Sequence, residues 1–172
     1  MGIQEHPYYG SFGYQVSHPF AVSSRFGTIQ DFKNLVKKCH EFNILVLVDL
    51  VISHACSNTL DGIADMDGSG DQYFYHGIKG DHPAWGTKVF NFSKIQVKKY
   101  LLSVIKFWIL EFGIDGYRID AVTSLIYKGH GLNRSFTGDY SQYFGDDTNI
   151  ENLAFLRLVR RVCDITSKNY LK

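Results

Sequence analysis

Apolar residues follow two rhythms along this chain, and each rhythm predicts a type of element. Ile44-Leu45-Val46-Leu47-Val48-Asp49-Leu50-Val51 is almost continuously apolar and is bounded by polar residues, as expected of a parallel strand buried on both faces. Before it, Phe32, Leu35, Val36 and Cys39 recur at helical spacing, and Thr28 with Asp31 supplies an N-cap and a first-turn acid. A helix over Ile29 to Phe42 follows. After the strand, Val97, Tyr100, Leu101, Val104, Ile105, Trp108, Ile109 and Phe112 keep a strict three-four spacing, with Ser93 as N-cap and Gly113 as stop. A third helix, from about Ile150 to Thr166, carries Leu153, Phe155, Leu156, Val159, Val162 and Cys163 on a broad apolar face.

Strand and helix patterns therefore alternate, which is the mark of an α/β chain built from βα units. The helix-to-strand turns at Asn43 and Gly113 are minimal, whereas the strand-to-helix loops from Ser53 to Phe92 and from Ala121 to Asn149 exceed ordinary connections. Their content argues against disorder, because disordered segments are poor in aromatics. One loop holds His54, Tyr73, Phe74, Tyr75, His76, Trp85, Phe90 and Phe92; the other holds Tyr127, His130, Phe136, Tyr140, Tyr143 and Phe144. Aromatic faces interleaved with Asp, Asn, Gln and His suit a sugar-binding cleft, and they equally suit loops that simply pack on a barrel mouth.

At 172 residues the chain falls short of the roughly 250 of a complete eight-stranded α/β barrel. Eighteen basic residues against 17 acidic ones give no field that would hold a polyanion, so nucleic acid is not an expected partner. Cys39, Cys56 and Cys163 are odd in number and lack metal-type spacing; they read as reduced thiols of a cytoplasmic protein, with no metal or cofactor implied. No apolar stretch is long enough to span a bilayer, and no membrane association is expected.

The most informative stretch is Gly113-Ile114-Asp115-Gly116-Tyr117-Arg118-Ile119-Asp120-Ala121-Val122. In a strand, Arg118 and Asp120 point to one face, and the C-terminal strand end is where barrel enzymes assemble their sites. Asp120 is thus a candidate nucleophile beside a charge partner; the plainer alternative is a strand-end Asp that caps the next turn.

Asp49-Leu50-Val51-Ile52-Ser53-His54 and Gly116-Tyr117-Arg118-Ile119-Asp120-Ala121-Val122-Thr123-Ser124 resemble the first and second conserved regions of the α-amylase superfamily, glycoside hydrolase family 13. Two further stretches sharpen the resemblance toward the 1,4-alpha-glucan branching enzymes of eukaryotic type. They are Glu5-His6-Pro7-Tyr8-Tyr9-Gly10-Ser11-Phe12-Gly13-Tyr14-Gln15-Val16 and Tyr127-Lys128-Gly129-His130-Gly131, which leads into Phe136-Thr137-Gly138-Asp139-Tyr140-Ser141-Gln142-Tyr143-Phe144-Gly145. The resemblance implies a partial TIM barrel covering about strands 2 to 5, with long strand-to-helix loops. Residues 1–172 would form an incomplete catalytic domain, without the amino-terminal carbohydrate-binding module and the carboxy-terminal β-domain.

By that resemblance, Asp120 forms a covalent glucosyl-enzyme intermediate and Arg118 keeps it ionised. His54 donates a hydrogen bond to the glucose at the cleavage point, Tyr14 stacks on that ring, and Asp49 orients the arginine. The plain structural alternatives are that Asp49 caps its strand, Tyr14 is core and His54 satisfies a loop carbonyl. The implied activity cleaves an α-1,4 glucan and transfers the chain to a 6-hydroxyl, forming α-1,6 branches in glycogen or starch with retention and without a cofactor.

The family's acid/base glutamate and later His-Asp pair are expected beyond Lys172, with the chain ending as the next strand begins. Ile52 and Ala121 depart from the histidine and glycine common in branching enzymes. The competing readings are an α-glucan hydrolase of the same superfamily and a non-catalytic glucan-binding fragment. Unpaired barrel edges further imply self-association.

Overall fold

The computed structural model describes residues 1–132 and 134–170. Helix α1 (Ile29–Glu41) begins at a capping box: the Thr28 hydroxyl accepts from the Asp31 amide, and the Asp31 carboxylate accepts from the Thr28 amide. Such a cap stabilises a helix by about 1 kcal/mol. Strand β3 (Leu47–Leu50) follows and pairs in parallel with β6 (Gly116–Ile119), in the register Leu47↔Gly116, Val48↔Tyr117, Asp49↔Arg118 and Leu50↔Ile119. The crossover between them is α2 (Ile95–Phe112), whose Val97, Leu101, Val104, Ile105, Trp108, Ile109 and Phe112 are all buried. Gly113 ends that helix at φ 67°, a left-handed conformation that costs glycine little.

Around this unit lie two small antiparallel ribbons. Near the N-terminus β1 (Gln4–Glu5) pairs with β2 (His18–Val22), and inside the first long loop β4 (His54–Ala55) pairs with β5 (Lys88–Val89). The second long loop opens with a short helix, α3 (Val122–Ile126), and closes into α4 (Ile150–Tyr170), which packs along α2. The long loops are packed, as their aromatics imply: Phe74, Phe90, Phe92 and Tyr127 are buried. The core joins Phe74, Phe90 and Phe92 to α2, β3 and Phe155 of α4.

Three expectations are corrected. The strand expected over Ile44 to Val51 contracts to Leu47–Leu50, and just outside it the amides of Val46 and Val51 are taken by side chains. Val46 N donates to the Asp115 carboxylate at 2.7 Å, and Val51 N donates to Gln4 Oε1 at 3.1 Å. Nor is it buried on both faces: Val48 and Leu50 are buried, while Leu47 is 63% exposed on the face it shares with Asp49. Ser93 does not cap α2; its hydroxyl is spent on Asn91 Oδ1, and Lys94 takes the cap position without a side-chain bond. The chain is still helical through Tyr170 rather than entering a strand at Asn169; Leu171 and Lys172 lie outside the described residues.

The expected arc of about four barrel strands is seen in part. Among the described residues it is represented by one parallel pair, β3–β6. The reason is local: β1 finds its ladder partner in the antiparallel β2, while the Gln4 side chain bonds the Val51 amide just beyond β3. No helix among the described residues is long and apolar enough to cross a membrane.

Candidate functional site

The parallel register does most of the placing. Because Asp49 and Arg118 are paired residues on neighbouring strands, their side chains leave the sheet side by side, and Asp120 follows two residues on in the same direction. Arg118 Nη1 donates to Asp49 Oδ1 at 2.7 Å, to Asp49 Oδ2 at 2.8 Å and to Asp120 Oδ1 at 2.8 Å. The Tyr14 hydroxyl donates to Asp49 Oδ2 at 2.7 Å. Both oxygens of Asp49 are therefore occupied, whereas the arginine engages one oxygen of Asp120. The two carboxylates are largely sheltered, at 18% side-chain exposure each, and the guanidinium between them is 58% exposed.

The backbone sets the aim of Asp120. Its amide donates to Leu50 O at 3.0 Å, so it extends the β3–β6 pairing by one bond. Ala121 then takes φ 55° and starts α3, turning the chain away and leaving the carboxylate at the rim. Position 121 is where the resemblance anticipated glycine, and the left-handed backbone there is the physical reason glycine suits it.

His54 stands on β4. Its Nε2 donates to the Tyr14 carbonyl at 2.9 Å, and its Nδ1 meets the Ser53 hydroxyl at 2.8 Å. Burial pulls its pKa below the ordinary histidine value, which fits the neutral tautomer with the proton on Nε2. That proton is engaged with the Tyr14 carbonyl in this structure. The hydrogen bond to Asp49 pushes the Tyr14 phenol pKa up, and the same carboxylate pushes the Arg118 pKa up.

These groups face a cleft of about 360 Å³ lined by Ser11, Tyr14, Gln15, His54, Ala84, Trp85, Thr87 and Asp120. All five residues singled out from the sequence belong to one constellation: Tyr14, His54 and Asp120 line the cleft, and Asp49 and Arg118 lie just behind it. Sequence reasoning did not single out Trp85, Gln15 or Thr87. Trp85 was visible as an aromatic in the first long loop, but an irregular loop has no period from which its direction can be read.

Below Trp85 lies His82, 2% exposed, with its ring stacked on the indole at 3.8 Å between centroids. Its pKa is lowered to about 4 by burial, with the neighbouring His130 and His54 adding to the effect. An unfolded chain takes up this proton near pH 6.5, and the native state takes it up only near 4. Stability is therefore full above about pH 6.5 and falls as pH drops through that window. Urea unfolding is expected to show a loss of about 2 kcal/mol between pH 7 and pH 5, reaching about 3 kcal/mol at pH 4, and His82→Phe is expected to flatten most of that slope.

The family model described as "Alpha amylase, catalytic domain" matches residues 4–84 and 64–171. The chain belongs to the alpha-amylase family. In this family member the parallel pair and its crossover helix are part of a TIM barrel. The chain is 51% identical over 147 residues to the 1,4-alpha-glucan-branching enzyme of Yarrowia lipolytica, covering 86% of this chain and 21% of that protein. It is 46% identical over 159 residues to 1,4-alpha-glucan-branching enzyme 2-2, chloroplastic/amyloplastic, of Arabidopsis thaliana, covering 92% of this chain and 20% of that protein. It thus spans about a fifth of the length of these curated relatives. Among solved structures it is similar to the alpha-amylase of Geobacillus thermoleovorans complexed with acarbose. That match has 28% identity and a TM-score of 0.60, covering 69% of this chain and 28% of the amylase. An Anoxybacillus alpha-amylase matches with 30% identity and a TM-score of 0.59, over the same shares of each chain.

Proposed function

We propose that this chain carries the nucleophile side of an α-1,4-glucan branching site. The observation that carries the reading is the Asp49–Arg118–Asp120 constellation at the rim of a polar-and-aromatic cleft, in a chain whose curated relatives are named branching enzymes. In this reading the pair β3–β6 falls within barrel strands 2 to 5.

The chemistry follows from which oxygens are free. Arg118 holds one Asp120 oxygen and leaves the other to attack the anomeric carbon of a glucosyl unit in the cleft. The C1–O4 bond breaks, the departing chain takes its electron pair and a proton from a general acid, and the sugar is left as an ester on Asp120. Attack by a 6-hydroxyl of an acceptor glucan, losing its proton to the same group, then forms the α-1,6 bond and frees the carboxylate. Asp49 does not supply that proton, since both its oxygens already accept hydrogen bonds from Arg118 and Tyr14. Tyr14 and His54 shape the wall against which the sugar rests.

Branching and hydrolysis differ in where the ester goes. With amylose as substrate for the protein that carries this chain, transfer is expected to shift the iodine-complex absorption without a matching rise in reducing ends. Release of reducing ends in step with the iodine change overturns the branching reading in favour of hydrolysis. Self-association is also proposed, through the free edges of β3 and β6 and the exposed Leu45 and Leu47 beside them; elution at the monomer position in size-exclusion chromatography contradicts it.

A further inference from the structure

The turn His82-Pro83-Ala84-Trp85-Gly86-Thr87 fixes an indole beside Asp120, and nothing in the proposed chemistry accounts for how it is built. His82 N donates to Thr87 O at 2.7 Å and Gly86 N donates to His82 O at 3.1 Å, closing the turn on itself. The Trp85 carbonyl accepts from Gln15 Nε2 at 3.3 Å, which ties the turn to the segment that carries Tyr14. The indole lies flat on the His82 ring, with an interplanar angle of 3°, and the tilted His54 ring stands 5.1 Å away. Trp85 is 41% exposed on the cleft, while the ring beneath it is buried.

A third ring, tilted by 54° to His82, packs against it. The His130 ring is 4.5 Å from His82, and its Nδ1 meets the Ser124 hydroxyl at 3.0 Å. Ser124 belongs to α3, the helix that begins directly after Asp120 and Ala121. His82 contributes little by hydrogen bonding: Nδ1 accepts a 3.3 Å bond from Ala84 N, and Nε2 is buried without a partner among the described residues. A buried imidazole with an unmet nitrogen costs stability, so its value here lies in its flat face. An indole backed on one side by such a face, and open to solvent beside a sugar-sized cleft, is a platform for the C–H face of a pyranose.

We infer that Trp85 is a glucosyl-stacking residue at the rim of the Asp120 cleft, and that His82 is the positioning residue that holds its ring, with His130 and Ser124 bracing the stack against α3. This assignment rests on the α-glucan reading of the site and adds to it a determinant of chain binding outside the reacting atoms.

The chain has two tryptophans, and Trp108 is fully buried, so iodide quenching reports Trp85. Maltoheptaose is expected to protect Trp85 from iodide. Trp85→Ala is expected to raise the calorimetric Kd for maltoheptaose about tenfold, and His82→Ala by a similar factor, with greater iodide access to Trp85. His82→Phe, which keeps a flat ring and loses the unmet nitrogen, is expected to restore the Kd to within about twofold. His82→Leu, of similar bulk without a ring face, replaces the alanine variant if that one fails to fold.

Binding heat that persists with no iodide protection, or an unchanged Kd in Trp85→Ala, overturns the stacking assignment and leaves the glucan reading standing. An unchanged Kd in the His82 variants without a ring overturns the positioning role. The absence of binding heat from the wild-type chain overturns both.

Discussion

Asparagine at position 120 is expected to abolish covalent capture of a glucosyl donor, lowering the rate on the order of 10³-fold or more. The informative substrate is a ring-fluorinated glucosyl fluoride. Fluoride departs without needing a proton, so the attack by Asp120 is isolated from general-acid catalysis, and the ring fluorine slows breakdown of the ester enough to weigh it. Intact-protein mass spectrometry should show one added glycosyl group on the wild-type chain, and peptide mapping should place it at Asp120. Asp49→Asn provides the contrast. It removes a charge that Arg118 binds through two oxygens, so the guanidinium is free to shift toward Asp120, and labelling at Asp120 is expected to slow without disappearing. Equal labelling of wild type and Asp120→Asn, or an adduct mapped to Asp49, removes Asp120 from the role of nucleophile.

The parts of this molecule that were legible in the sequence are those where one residue type has one physical solution. The α1 cap is an example: Thr28 and Asp31 are spaced for reciprocal bonds to each other's amides, and those bonds form. Helix α2 is another, because seven buried positions at three-four spacing admit no second packing face. The Asp49–Arg118 pairing required more. Each residue could be assigned to a strand end from its own segment, but their meeting depends on the β3–β6 register, which no local pattern encodes. Resemblance supplied that register before the structure did.

What was misread shares one cause. The extent of β3 was set by side chains of distant residues, Gln4 and Asp115, and the start of α2 by a near neighbour, Asn91, each of which took hydrogen bonds that the local pattern had assigned elsewhere. Trp85 was missed for the same reason. Its direction comes from a turn closed by His82 and Thr87 and from a ring stack that gathers residues of separate loops.

Trp108→Ala is expected to destabilise the chain by about 4 kcal/mol, and Trp108→Phe by roughly 1–2 kcal/mol. Trp108 is fully buried on α2, where it packs 4.9 Å from the Phe112 ring and edge-on to Phe32 of α1 at 6.1 Å. Its indole N–H donates to Pro19 O at 2.8 Å, fastening α2 to the β1–β2 ribbon. Alanine leaves a cavity that three separate elements must collapse to fill, and a helix and a ribbon cannot both follow one missing ring. Phenylalanine fills most of that space and forfeits mainly the N–H bond. The lost donor does not strand the carbonyl, because Gln4 Nε2 also donates to Pro19 O, at 3.0 Å. Gln4 in turn holds Val51 N, just beyond the strand that carries Asp49. The ribbon therefore keeps its grip on the site after the indole is gone. Urea unfolding should register the loss in full, while the rate of Asp120 labelling per folded molecule, measured well below the melting temperature, should change less than about twofold. A matching loss in both measurements shows instead that Trp108 supports the nucleophile directly through the core.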